Sequence, residues 1–178
     1  VGVTSNPTIF QKAIGGSDDY DASIQQMLDL DPSVIFEELA LEDIRHALDL
    51  FRPIYERTGG RDGFVSLEVS PLIANDTQSP TDEALRMFKV IDRPNVMMQI
   101  PATEAVMPAI EAGIAAGVKL NVTLIFGIEN YIKVDEAYIR GLEKRKAAGE
   151  DVSHIASVAS FFLSRIDVAV DRMLDNNI

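Results

Sequence analysis

The sequence predicts an α/β fold in which parallel strands curve into a barrel. Short apolar, β-branched runs alternate with segments of helical period along the whole chain. Short loops join them, as in consecutive strand–helix units. On two predicted strands a polar face lies behind an apolar one. A doubly wound sheet is covered by helices on both faces and should be apolar on both, whereas a barrel can hold polar groups inside its mouth. The barrel is therefore favoured.

Cap residues and helix stoppers divide the first third of the chain. A β-branched run at residues 1–5 predicts the first strand, and three helices follow it. The second helix is expected to carry Met27 and Leu28 on its apolar face, and the third to kink or end near a proline. Their boundaries are marked by Asn6-Pro7, Gly15-Gly16, Ser17, Asp31-Pro32, Pro53 and Gly59-Gly60.

Four more strands follow, each succeeded by a helix. The strands are predicted at residues 64–69, 95–100, 120–126 and 155–160, and the helices at 81–91, 106–117, 131–146 and 162–174. The fourth strand is expected to turn Leu120, Val122, Leu124 and Phe126 to one apolar face. The basic run Lys144-Arg145-Lys146 is interpreted as solvated surface. No internal repeat is present, so the sequence predicts a single domain.

Composition excludes several classes of function. The 178 residues are 47% hydrophobic, which predicts a real core, and they include no cysteine for disulfide or thiolate chemistry. A net charge of −12 argues against a nucleic-acid partner, and it means that an anionic substrate needs a local basic pocket. No apolar run approaches the ~20 residues of a membrane helix. We therefore expect a cytoplasmic protein without a membrane or nucleic-acid partner.

Polar residues recur near the ends of the predicted strands. If the strands form a barrel, these side chains meet at its mouth and form a candidate catalytic site; the alternative is a hydrogen-bonded polar network inside the barrel. Glu68 has no basic neighbour in sequence, so its pKa is expected to be raised, which suits a general acid or base. The set comprises Asn6, Glu68, Gln99, Asn121, Thr123 and Ser160.

Three other residues have two interpretations each. Arg165, in the first turn of the closing helix, is either a phosphate ligand beside helix N–H groups or part of a surface salt bridge. His46 and His154 are better explained as surface residues than as catalytic bases, because neither lies near the candidate site. No P-loop or dinucleotide fingerprint occurs, so a nucleotide site is not predicted.

Several motifs resemble those of the transaldolases, and they occur in the family's order over the full length of the chain. The first, residues 2–10, is similar to the family's first signature almost letter for letter. The others are Ser66-Leu67-Glu68-Val69-Ser70-Pro71, Arg93-Pro94-Asn95, Ile100-Pro101-Ala102-Thr103, Asn121-Val122-Thr123-Leu124-Ile125-Phe126, Ser157-Val158-Ala159-Ser160-Phe161-Phe162 and Ser164-Arg165-Ile166-Asp167.

The resemblance implies a (β/α)8 TIM barrel and the pentose phosphate pathway. In that family a dihydroxyacetone unit moves between sugar phosphates while bound to a strand lysine as a Schiff base. The implied substrates are fructose 6-phosphate, sedoheptulose 7-phosphate, erythrose 4-phosphate and glyceraldehyde 3-phosphate, with no metal or organic cofactor and a monomer or homodimer. By motif, Asn6, Asn121 and Ser160 hold the dihydroxyacetone hydroxyls, Glu68 and Thr123 position the catalytic water and assist proton transfer, and Arg165 binds phosphate.

The chain departs from the family pattern at the reactive position. Gln99 stands where the family has its Schiff-base lysine, and an amide nitrogen cannot form an imine. Lys119 is the nearest substitute by sequence, but it is expected roughly 7 Å below the active layer at ~3.4 Å per residue. Val106 replaces a glycine of the motif, and Gly127 a serine. As written, the chain is expected to lack the covalent step.

The chain is also short for the family, with about five consecutive β/α units in a single partial-barrel domain, 1–178. The family's first strand is expected before Val1 and its last two strands after Ile178, in a longer chain or, alternatively, supplied by a second chain. The leading hypothesis is a transaldolase-type transferase. Its rivals are an aldolase-like lyase acting on fructose 6-phosphate, and a non-catalytic homologue that binds only sugar phosphate or a protein partner.

Overall fold

The computed structural model describes residues 2–68 and 78–175. Its strands are β1 Val3–Thr4, β2 Val65–Glu68, β3 Val96–Pro101, β4 Leu120–Ile125 and β5 Ser157–Phe161. They form one parallel sheet in the order β1-β2-β3-β4-β5, so each strand pairs with its neighbours in sequence. Helices alternate with the strands, and the sheet forms a half-barrel, which confirms the predicted partial (β/α)8 architecture.

The helices agree with most of the predicted boundaries. They are α1 Pro7–Gly16, α2 Asp21–Gln26, α3 Pro32–Arg57, α4 Gln78–Ile91, α5 Met107–Ala115, α6 Ile128–Ala147 and α7 Leu163–Asp175. Asn6 and Asp31 cap α1 and α3 by accepting N–H bonds from Ile9 and Ser33, and a proline follows each cap. Within the described ranges, no helix is long and apolar enough to cross a membrane.

The core lies between the outer face of the sheet and the helices that cover it. Strand side chains alternate between the two faces, and those on the outer face are apolar and closely packed. Burying such side chains contributes about 1.5–3 kcal/mol each, which holds the helices on the sheet and leaves the inner face for polar groups. Fully buried members include Leu48, Val65, Ile91, Met98, Ile100, Ile110, Ile114, Leu120 and Val122.

The predicted bounds of the second helix were wrong, and so was one of the two alternatives given for the third, that it ends near Pro53. The second helix is divided into a 3₁₀ turn, Asp18–Tyr20, and the short α2, because local turns at Met27 and Leu30 end it early; Leu28 is exposed. Pro53 lies inside α3, which continues to Arg57, because the residues after the proline still pack: the rings of Tyr55 and Phe64 meet edge to face at 5.4 Å.

The predicted apolar face of β4 was also wrong in its second half. Alternation holds through Val122, but Leu124 has a φ of 61° and the pairing with β5 shifts between Val122 and Ile125. This irregularity turns Leu124 toward the inner side of the barrel mouth, where it is 40% exposed, and Phe126 follows the strand and is also exposed. The predicted strand residue Val69 and the motif residues Ser70 and Pro71 lie outside the described residues.

The basic run at the end of α6 is only partly solvated surface. Lys144 forms an ion pair with Glu111. Arg145 is largely covered, because its guanidinium donates to the carbonyl oxygens of Ala115 at 3.3 Å and of Asp151 at 2.7 Å. It thereby satisfies a carbonyl at the C-terminal end of α5, a structural role that a charge pattern alone does not reveal.

Candidate active site

A cleft of about 590 Å³ opens at the carboxyl ends of the strands. The structure brings all seven predicted site residues to this one cleft, although they come from every strand of the sheet or from the loop or helix that follows it. Its lining comprises Thr4, Ser5, Asn6, Pro7, Thr8, Glu68, Gln99, Asn121, Thr123, Leu124, Ser160, Phe162 and Arg165.

Three of these side chains stand at one level on neighbouring strands. Glu68 is in register with Gln99, and Gln99 with Asn121. Adjacent strands lie about 4.8 Å apart, and side chains at paired positions project from the same face. The cleft therefore has a carboxylate, a carboxamide and a second carboxamide in a row across its floor.

Gln99 is held at its position by a threonine that the sequence analysis did not single out. The Thr4 hydroxyl donates to the Gln99 Oε1 atom at 2.6 Å, and Gln99 is 8% exposed. β1 contributes only two residues to the ladder, too short a run for alternation to show which side chain points inward. The signal available was the position of Thr4 directly before the Ser5-Asn6-Pro7 motif.

Asn121 belongs to a small buried network. It accepts a hydrogen bond from the Ser160 hydroxyl at 2.7 Å and donates to the Ser66 hydroxyl oxygen at 3.1 Å. The alternative of a polar network inside the barrel therefore describes part of the site. It does not describe the whole, because Glu68 makes no hydrogen bond or ion pair with the described residues.

Glu68 is half-buried at the end of β2, next to the row of amides. Burial raises the pKa of its carboxyl group, because the charged form is less well solvated there. The direction agrees with the sequence prediction. A carboxyl group whose pKa is raised in this way holds its proton to higher pH than an ordinary carboxyl group, which suits a general acid or base.

Asn6 and Thr123 border the floor on opposite sides. Asn6 uses its Oδ1 to cap α1, at 2.9 Å from the Ile9 nitrogen, so its amide N–H₂ is the part available to a ligand. Thr123 is buried on β4, and its carbonyl oxygen accepts the Ala102 N–H at 2.8 Å, which fixes the chain after β3 against β4.

Arg165 is the only cation among the described residues that line the cleft. Its guanidinium lies 4.7 Å from the ring centroid of Phe162, and that ring stacks on Phe126 with centroids 5.5 Å apart. Within the described ranges no carboxylate is close enough to pair with it, so the surface salt bridge proposed as an alternative is absent there. The arginine is exposed and free to meet an anion.

Other candidates lie away from this cleft or are structural. Lys119 is buried below the floor and does not line the cleft, and burial lowers the pKa of its amine. His46 and His154 are exposed, and no cluster of metal-ligating side chains occurs among the residues described. Val106 is fully buried in the apolar core, and Gly127 precedes α6 without a side-chain cap.

Comparison with known proteins agrees with this geometry. A family model described as Transaldolase/Fructose-6-phosphate aldolase matches residues 1–177. Transaldolase 2 of a Nostoc species is 53% identical over 98% of this chain and 46% of its own length. The transaldolase of Saccharopolyspora erythraea is 51% identical over 99% and 48%, and that of Mycobacterium marinum 44% over 98% and 48%. The chain thus spans about half the length of these relatives, and it belongs to the transaldolase/fructose-6-phosphate aldolase family.

Proposed function

We propose that the cleft is a transaldolase-type sugar-phosphate site, built to transfer a dihydroxyacetone unit between sugar phosphates once an amine occupies position 99. One observation carries this proposal: the seven side chains that the family resemblance selects converge on a single cleft with complementary chemistry. Amide and hydroxyl groups suit a polyhydroxy chain, and the guanidinium of Arg165 suits its phosphate.

The pose follows from where these groups lie. The dihydroxyacetone end accepts hydrogen bonds from the N–H₂ group of Asn6 and from the remaining N–H of Asn121, and it donates one to the hydroxyl oxygen of Ser160, on the floor of the cleft. Arg165, on α7 at its rim, binds the phosphate of fructose 6-phosphate or sedoheptulose 7-phosphate, and erythrose 4-phosphate or glyceraldehyde 3-phosphate takes the same end as acceptor. Glu68 and Thr123 hold a water and move protons at the reacting carbon.

Gln99 limits what the site does. The lone pair of a carboxamide nitrogen is delocalised into its carbonyl, so it does not attack a ketone, and no imine forms. With Gln99 in place the cleft binds ketose phosphate reversibly through the polar groups around it. The transfer reaction requires Gln99→Lys, which would place an amine in the same row as Glu68 and Asn121.

Borohydride trapping tests this proposal. The protein and its Gln99→Lys variant are incubated with fructose 6-phosphate and borohydride, and the modified peptide is located by tryptic mapping; Lys119 serves as an internal control amine. We expect a reduced adduct at position 99 of the variant alone. An adduct on Lys119 of the unmodified protein would show that the nucleophile has moved, and no adduct on the variant would refute a transaldolase-type site.

The aldolase-like lyase remains a second candidate, because the matching family includes fructose-6-phosphate aldolase by name. A lyase turns over fructose 6-phosphate to free dihydroxyacetone and glyceraldehyde 3-phosphate, whereas a transferase without an acceptor aldose phosphate stops after one equivalent of glyceraldehyde 3-phosphate, with the dihydroxyacetone unit still on the amine. Product analysis of the Gln99→Lys variant with and without erythrose 4-phosphate separates the two. Release without an acceptor at the same rate would favour the lyase.

We further place the protein in cytoplasmic sugar-phosphate metabolism, as the pentose phosphate role of the resemblance implies. The partial-barrel domain, the completion of the barrel and the monomeric or homodimeric state stay predictions. Size measurement in solution at several protein concentrations tests the last of these.

A further inference from the structure

The carboxamide of Gln99 is oriented by its neighbour. Its Oε1 accepts the Thr4 hydroxyl at 2.6 Å, and the side chain is nine-tenths buried while lining the cleft. Within the described ranges, Nε2 has no hydrogen-bond acceptor. The amide therefore offers its N–H groups to whatever enters the cleft, and its acceptor is already engaged.

An N–H donor and an amine select different ligands. An amine that forms an imine binds only a ketone or aldehyde covalently, and an alcohol can accept only a hydrogen bond from it. A carboxamide N–H donates to a carbonyl oxygen or to a hydroxyl oxygen alike. Gln99 thus removes the chemical reason for this position to prefer a carbonyl.

The carboxylate of Glu68 further favours a hydroxyl over a carbonyl as the ligand group at Gln99. Glu68 pairs in register with Gln99, so a ligand oxygen held by Nε2 lies beside an acceptor-only group when Glu68 is ionised. A hydroxyl satisfies both, because its oxygen accepts from Gln99 and its hydrogen is donated to Glu68. A carbonyl oxygen carries no hydrogen, so at a pH above the pKa of Glu68 it faces the carboxylate with like partial charge.

We propose that this cleft takes open-chain polyol phosphates, the reduced counterparts of ketose phosphates, in preference to the ketose phosphates themselves. The inference rests on the proposed sugar-phosphate site and names the ligand class that Gln99 selects there. Arg165 receives the phosphate, Asn121 a hydroxyl of the chain, and the pair Gln99–Glu68 the hydroxyl that replaces the carbonyl.

Ring closure favours the same ligand. A ketose 6-phosphate in water is mostly a cyclic hemiketal, and only the open chain can spread along a row of three strands. When only a fraction of a ligand is in the form that binds, its apparent dissociation constant is the intrinsic one divided by that fraction. The same relation holds for a protein whose binding state is only partly populated. A polyol phosphate has no carbonyl and cannot close, so its whole population is available.

Titration calorimetry tests the preference directly. The ligands are fructose 6-phosphate and the hexitol 6-phosphates obtained by reducing it, each titrated into the protein with Gln99 and into Gln99→Lys and Gln99→Met. We expect the polyol phosphate to bind Gln99 protein at least ~10-fold more tightly than the ketose phosphate, as a hydrogen bond to a charged group implies. Gln99→Met, which keeps the length but not the N–H groups, should lose about 5-fold for the polyol.

Two further variants locate the cause. Gln99→Lys should reverse the order, because the ketose is then captured as an imine and the polyol is not. Thr4→Val keeps the shape of β1 but releases Oε1, and it should weaken polyol binding by less than Gln99→Met while leaving the circular dichroism spectrum unchanged. If the Gln99 protein bound ketose phosphate as tightly as polyol phosphate, the inference would be wrong, but the proposed sugar-phosphate site would still stand. Failure of both ligands to bind would remove the sugar-phosphate site and the inference with it.

Discussion

Asn95 and Gln99 both carry buried carboxamides, one directly before β3 and the other within it, yet the two ends of the sheet use these groups differently. Asn95 is completely buried, and its Nδ2 donates to the carbonyl oxygens of Leu48 at 2.9 Å and Gly63 at 3.0 Å. Gln99 receives one bond from Thr4 and keeps its N–H groups for the cleft. At the amino end of the sheet, the Asn95 amide joins three segments: α3, the loop that precedes β2, and the start of β3. At the carboxyl end, the N–H groups of the Gln99 amide are left for a ligand.

Two glycines show the same division. At the amino end, Gly63 has a φ of 79°, and a Cβ there would lie 2.7 Å from the Tyr55 nitrogen and 2.8 Å from the Phe51 carbonyl oxygen. At the carboxyl end, Gly127 has extended backbone, and nothing lies within 4 Å of a Cβ. The amino end is closed by packing, and the carboxyl end has room for change. Stability should therefore depend on the first and ligand binding on the second.

The largest effect expected from this comparison is at Asn95. Asn95→Ala leaves two buried carbonyl oxygens without their donor, at about 1–3 kcal/mol each before relaxation, so we expect the free energy of unfolding to fall by about 3 kcal/mol. Gln99→Ala, at the other end of β3, should change it by less than about 1 kcal/mol, since a lost bond to one hydroxyl is worth about that much. Urea unfolding of both variants measures the contrast.

Asn95→Asp is the matched control, because it preserves the shape and replaces the N–H₂ group with an oxygen facing two carbonyls. It should be at least as destabilising as Asn95→Ala. If it were tolerated, the hydrogen bonds from Nδ2 would not be what holds the amino end, and the comparison would fail.

Gly63→Ala should have the next largest effect. The added Cβ meets backbone atoms, which cannot move aside as a side chain can, and the left-handed φ adds strain. We expect a loss of about 2 kcal/mol in the free energy of unfolding. Gly59→Ala separates the two causes, since Gly59 has a φ of 62° but open space around it, and it should lose only about 1 kcal/mol. Equal losses would mean that the contact with α3 is unimportant.

Much of this contrast was open to prediction from the sequence. The caps Asn6 and Asp31 and the strands β2 to β5 follow from local chemistry: side-chain acceptors before a proline, and apolar runs of strand length. The convergence of Glu68, Gln99 and Asn121 follows as well, because parallel strands bring their carboxyl ends to one edge. Local rules suffice where each residue's role depends on its own element.

The sequence did not reveal roles that depend on a second element. Leu124 fits an alternating strand by residue type, and only the pairing of β4 with β5 shows that the ladder shifts there. Arg145 belongs to a charge run by sequence but caps α5, some thirty residues earlier. Thr4 lies in a two-residue strand, and its hydrogen-bond partner, Gln99, is on β3, two strands away; only the fold brings the two residues together. Each is a long-range contact with no local signature.

A smaller effect, specific to the carboxyl end, concerns Glu68 and pH. Its folded-state pKa lies above the unfolded value because burial disfavours the charged form. The protonated group therefore favours folding at low pH, and that contribution is lost as pH rises from the ordinary carboxyl range through the raised pKa. Glu68→Gln lacks this titration, so relative to the parent its stability should increase with pH and level off above the raised pKa of Glu68.

Urea unfolding of the Glu68 pair between pH 4 and pH 8 measures this difference. It should stay well below the loss at Asn95, because Glu68 is only half-buried. A stability gap that is constant with pH, or one that favours glutamate as pH rises, would show that the carboxylate has a stabilising partner. The carboxyl end would then also use its polar side chains for stability, as the amino end does, and the contrast between the two ends would be weaker than proposed.

The smallest effect is expected at Gly127. Gly127→Ser places a hydroxyl at the N-cap of α6, where no side chain now caps the helix, and its Cβ meets no neighbour. The hydroxyl can accept an orphan N–H of the first turn, and the added side chain restricts the unfolded chain, so stability should rise by about 0.5 kcal/mol. Gly127→Ala has no capping hydroxyl, and alanine is a poorer N-cap than glycine, so this variant should lie about 0.5 kcal/mol below the parent and about 1 kcal/mol below serine. Equal stabilities of the serine and alanine variants in thermal unfolding would mean that the serine hydroxyl does not cap α6. The carboxyl end would then have room for a side chain at position 127 but gain no hydrogen bond from it.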